Sequence, residues 1–185
     1  MNLPNKLTVF RIILVPVIVF FIIYERLENH YLYALIFFLV ASYTDRLDGY
    51  LARKNGIVTN FGKIMDPLAD KILVASSFVC FTATGLIPTW ATVLIICREF
   101  IVTSFRFMIL EDSDKIISAN MWGKVKTVTQ MLTLIFILTT QSFPEFFNFL
   151  IFTIFQDVLV WASAILSLVS GTIYILKNYK YIKVD

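Results

Sequence analysis

The chain has 185 residues, 58% of them hydrophobic and only 16% charged, with a mean hydropathy of +0.79. Charged residues supply about a quarter of an ordinary soluble domain, so this usage excludes one. The formal net charge of +3 is too small to point to a nucleic-acid partner. The expectation is a single all-α integral membrane domain over residues 1–185, because helices satisfy their backbone N–H and C=O groups segment by segment, as a bilayer requires.

The opening Met1-Asn2-Leu3-Pro4-Asn5-Lys6-Leu7-Thr8 carries Pro, Asn and Thr, residues that start and cap helices, and predicts a short N-terminal interfacial helix. Six apolar stretches follow, each near the roughly 20 residues that span a bilayer: 7–24, 31–53, 65–86, 88–110, 126–141 and 149–177. The turn Gly85-Leu86-Ile87-Pro88 divides the third from the fourth, since Gly ends helices and Pro opens them. Cys80 and Cys97 lie inside apolar runs and are expected to pack there. Ser163, Ser167 and Gly171 place a small-residue stripe on the last span, open to contact within one protomer or between two. If loops alternate between sides, all 16 Lys and Arg except Arg26 fall on one side. The positive-inside rule makes that side cytoplasmic and gives a multi-pass protein of the cytoplasmic membrane with both termini inside.

Chemistry concentrates in one region. Asp45, Asp48, Gly49 and Ala52 share one helical stripe, and Gly62, Asp66 and Asp70 share another. Facing each other, the two stripes gather four carboxylates, which need a counter-charge; divalent cations supply one. A pair of cations held this way clamps the bridging oxygens of a phosphoanhydride, so phosphoryl-type transfer is the leading reaction class. Gly49 and Ala52 leave room for a flat base, and Arg53 can complement phosphate. Helix packing through small residues explains Gly49, Ala52 and Gly62 equally well, but not the aspartates. A cation channel or transporter would spread its carboxylates through the membrane depth, whereas these cluster at one end beside basic loops.

The pattern Asp45-x2-Asp48-Gly49-x2-Ala52-Arg53-x8-Gly62-x3-Asp66-x3-Asp70 resembles, without departure, the full signature of the CDP-alcohol phosphatidyltransferases. That resemblance implies a homodimer with six transmembrane helices and a two-metal site of Mg²⁺ or Mn²⁺. It further implies transfer of a phosphatidyl group from a CDP-linked lipid to an alcohol, with release of CMP. By it, Asp45, Asp48, Asp66 and Asp70 hold the metals and Asp70 is also the general base. Asp48, Gly49, Ala52, Arg53 and Gly62, with Asn5 and Thr8 of the first segment, bind the CDP-lipid. A base must still accept a proton beside cations that depress carboxylate pKa values, so Asp70 is expected to be the most loosely coordinated.

The acceptor is set elsewhere. The segments 98–106 and 119–130 carry Arg98, Arg106, Lys124 and Lys126 to the cytoplasmic side, as a phosphorylated acceptor would need. With Asn5-x2-Thr8-x2-Arg11 they resemble the bacterial phosphatidylglycerophosphate synthase branch of the family, which implies CDP-diacylglycerol and sn-glycerol 3-phosphate as substrates. Cardiolipin-type and phosphoinositol-type synthases are the alternatives within the family. Lys124 and Lys126 also fit as topogenic charges, and Glu99 as a helix-to-helix partner of Arg98 or Arg106.

Overall fold

A computed structural model of the chain describes residues 3–55, 60–112 and 121–178, with the side chains of all of these except 3–4, 46–55, 60–64, 106–107 and 109–112. The described residues form helices joined by short turns: α1 (Leu3–Ile23), α2 (His30–Asn55), α3 (Asn60–Ala83), α4 (Thr89–Asp112), α5 (Met121–Ser142), α6 (Pro144–Phe147) and α7 (Leu150–Asn178). Each expected span corresponds to one helix, α1 to α5 and α7. Among the described residues two stretches, Asn5–Ile23 and Leu150–Asn178, are long and apolar enough by length and composition to cross a bilayer.

Two local features depart from expectation. No separate N-terminal helix precedes the first span among the described residues, because α1 runs unbroken from Leu3 to Ile23. Pro4 occupies its first turn, where a missing N–H costs nothing, and the polar Thr8 and Arg11 are buried within the helix. The four-residue α6 was not expected; Pro144 opens it. The expected turn between α3 and α4 is present, and its hydrogen bonds identify it. Gly85 adopts φ +76°, the Leu86 N–H donates to the Phe81 carbonyl at 2.8 Å and the Gly85 N–H to the Thr82 carbonyl at 3.1 Å. This is a Schellman cap, which requires the left-handed residue that Gly supplies.

The chain divides into two units. In the first, Met1–Leu86 with Leu134–Phe152, α1 packs against α2 and α3. Leu14, Ile18 and Ile22 of α1, Ala34 and Phe38 of α2, and Leu73 and Phe78 of α3 are buried there. His30 bonds the Phe21 carbonyl through Nδ1 at 2.8 Å, fastening the start of α2 to the end of α1.

In the second unit, Ile87–Thr133 with Thr153–Asp185, α7 shows an inverted pattern. Its buried positions are largely small or polar, including Ser163, Ala164, Ser167, Ser170 and Gly171, whereas Ile154, Val158, Trp161, Ile165 and Leu168 are exposed. Water would reverse that arrangement; lipid, as apolar as Leu, favours it. The small-residue stripe is occupied within the chain. The Ser163 hydroxyl meets the Thr133 hydroxyl at 2.8 Å, and Arg98 lies across Gly171. Cys80 is buried as expected, but Cys97 is exposed on α4.

Candidate active site

The site in the first unit is built on α1. Thr8 and Arg11 lie three residues apart, on one face of the helix, and both are fully buried. Arg11 Nη1 stands 2.8 Å from Asp45 Oδ1 on α2, with side-chain exposures of 0% and 39%. The Thr8 hydroxyl donates to Asp66 Oδ1 on α3 at 2.5 Å. One face of α1 therefore grips a carboxylate from each acidic helix. A buried guanidinium is costly unless paired, and Asp45 supplies the pair.

Asp70 follows Asp66 by four residues and shares its face of α3; both are partly buried. Asn5, one turn before Thr8, is partly buried as well. Asp48, Gly49, Ala52 and Arg53 fall on α2 and Gly62 on α3, and their side chains lie outside the described residues. Among the described residues no three His, Cys, Asp or Glu side chains form a metal-holding group, and Asp48 is not among those side chains.

The basic residues expected for the acceptor belong to the second unit. Glu99 Oε1 accepts from Lys126 Nζ and lies 3.2 Å from Arg98 Nη1, and Arg98 Nη2 donates to the Ser170 hydroxyl at 2.9 Å. The three charged side chains are between 7% and 15% exposed. The cluster links α4, α5 and α7, and it requires Gly171, since a Cβ there would stand 2.8 Å from Arg98 Cγ. Lys124 is exposed, and the Arg106 side chain lies outside the described residues. Arg98 and Lys126 are thus brought together on one carboxylate.

Glu99 is the expected partner of Arg98 but not of Lys126, and the motif Asn5-x2-Thr8-x2-Arg11 marks Arg11 without indicating that it pairs with Asp45. The available signal for Arg11 was a charge set inside an apolar run three residues after Thr8.

The family model for CDP-alcohol phosphatidyltransferases matches residues 1–169. The chain belongs to this family. Three relatives extend the likeness over nearly the whole length. A Bacillus subtilis protein named CDP-diacylglycerol–glycerol-3-phosphate 3-phosphatidyltransferase is 38% identical, covering 98% of this chain and 97% of its own. The Rickettsia felis protein of the same name is 35% identical, with 97% of each chain covered. A probable phosphatidylglycerophosphate synthase of Mycobacterium tuberculosis is 33% identical over 94% of this chain and 80% of its own. As a CDP-alcohol phosphatidyltransferase with apolar helices α1 and α7, the chain is a membrane-associated transferase of phospholipid biosynthesis.

Proposed function

We propose that this chain transfers the phosphatidyl group of CDP-diacylglycerol to sn-glycerol 3-phosphate, giving phosphatidylglycerophosphate and CMP. The observation that carries the reading is the complete aspartate signature, with Asp45 and Asp66 both held by α1. The relatives' names support the choice of substrates.

The donor set fits a divalent cation: carboxylate oxygens are hard ligands suited to Mg²⁺ or Mn²⁺. Asp45, Asp48, Asp66 and Asp70 would hold two such ions. When bound, these ions supply neutralisation of the diphosphate and of the departing CMP. Asp70 accepts the proton of the acceptor hydroxyl as that oxygen bonds to the phosphatidyl phosphorus. The bond from this phosphorus to the oxygen bridging it to CMP breaks, and CMP keeps the electron pair.

Asn5, Thr8, Asp48, Gly49, Ala52, Arg53 and Gly62 bind the CDP-lipid. Arg98, Arg106, Lys124 and Lys126 bind the acceptor's phosphate, Arg through its planar fork and Lys as a point charge. The enzyme works as a homodimer of six-span protomers, its active site and both termini on the cytoplasmic side. Purified protein, CDP-diacylglycerol and a panel of acceptors test this by CMP release. Release is expected with sn-glycerol 3-phosphate and not with serine, inositol phosphate or phosphatidylglycerol; preference for another acceptor would overturn the assignment.

A further inference from the structure

Resting on the reading of the aspartates as metal ligands, we propose that Arg11 and Thr8 are positioning residues for them. In this role α1 sets the cation affinity of the enzyme without touching the cation. Two independent contacts carry the inference. Arg11 Nη1 meets Asp45 Oδ1 at 2.8 Å and the Thr8 hydroxyl meets Asp66 Oδ1 at 2.5 Å. Both α1 side chains are fully buried, so neither is a surface charge or a solvated hydroxyl. Each occupies one oxygen of a carboxylate on a different helix, which limits the rotation of both carboxylates before any cation arrives. Groups that orient ligands in this way typically change metal affinity by about 10- to 100-fold when removed.

Electrostatics alone predicts the opposite sign for Arg11. Its positive charge beside Asp45 repels an incoming cation, so deleting that charge would tighten binding if orientation were unimportant. The sign of the change therefore separates positioning from simple charge. Thr8 gives a second, charge-free reading of the same effect, since Thr8→Val keeps the shape and removes the hydroxyl that donates to Asp66. It also separates positioning from the lipid contact proposed for Thr8, which by itself would alter lipid affinity and leave cation affinity unchanged.

The test measures Mn²⁺ binding to the detergent-solubilised full chain by electron paramagnetic resonance of free Mn²⁺, with no lipid substrate present. Arg11→Met and Thr8→Val are expected to bind Mn²⁺ at least about tenfold more weakly than the native chain, and Thr8→Ser, which retains the hydroxyl, about as well as the native chain. Unchanged or tighter binding in the first two overturns the proposal. So does a Thr8→Val variant altered only in its KM for CDP-diacylglycerol. If Arg11→Met does not fold, the Thr8→Val and Thr8→Ser pair decides alone. A native chain that binds no Mn²⁺ overturns the metal reading itself and the positioning role with it, an outcome distinct from equal binding by native and variant chains.

Discussion

Asp66 and Asp70 stand one turn apart on α3, yet the proposed chemistry asks different things of them. Asp66 is tied to Thr8 and in the proposed chemistry serves only as a ligand, so Asp66→Ala, like Asp45→Ala or Asp48→Ala, is expected to abolish turnover while the folded protein remains extractable. Excess EDTA should do the same to the native enzyme, and full turnover in EDTA would exclude a metal-dependent reaction. Asp70→Asn retains a coordinating oxygen but removes the base. CDP-diacylglycerol binding should survive while kcat falls by about 10²-fold or more, and native turnover in that variant would remove Asp70 from the role. If Arg106 holds the acceptor's phosphate as proposed, Arg106→Gln removes a charge-assisted contact of about 1.5–3 kcal/mol, and KM for sn-glycerol 3-phosphate should rise roughly tenfold to a hundredfold. KM for CDP-diacylglycerol should change much less; an equal rise in both would place the phosphate contact elsewhere. At this scale the sequence displayed the aspartates through their spacing but not their partners. Thr8 and Asp66 are 58 positions apart, and no local periodicity states which hydroxyl or cation meets which carboxylate.

Helices were the most legible level, because apolar length and Gly or Pro punctuation are local signals. Gly85 shows why: nothing lies within 4 Å of a Cβ built there, so its requirement is purely conformational, set by φ +76°. Gly85→Ala should therefore cost about 1–2 kcal/mol through the left-handed backbone alone, read as a lower thermal midpoint in detergent with catalytic constants unchanged. Gly171 is the opposite case. Its neighbour Arg98 fills the space, with Cγ at 2.8 Å from a built Cβ, so Gly171→Ala is expected to destabilise by overpacking, about 1–3 kcal/mol. Adding Arg98→Ala should relieve much of that overpacking, and additive losses in the double variant would show that the two positions do not couple. From sequence, Gly171 read only as one member of a small-residue stripe; that it accommodates an arginine from another helix is tertiary information. The unbroken α1 was missed for a related reason. Polar residues near its start suggested a surface segment, but Thr8 and Arg11 are instead buried against carboxylates of α2 and α3.

The inverted burial of α7 and the distribution of basic residues bear on how the whole molecule sits in the membrane. With the proposed six spans, all 16 Lys and Arg except Arg26 belong to one side, and Arg26 lies in the short α1–α2 connection beside Glu25 and Glu28. Moving a charged loop across the bilayer against this bias is unfavourable for short loops, so the side holding the aspartates should be cytoplasmic. Arg11 contributes less to that bias than its charge suggests, because it is fully buried and paired with Asp45; the orientation rests instead on charges such as Lys6 and Lys124, which are exposed. Single-cysteine variants made after replacing Cys80 and Cys97 give the check. Glu28→Cys should react with a membrane-impermeant maleimide in intact cells, and Ser113→Cys only after permeabilisation. The reverse pattern would invert the topology and put the aspartates outside. Reaction of both in intact cells would mean that the two connections lie on the same side, which an alternation of spanning helices α2, α3 and α4 does not allow.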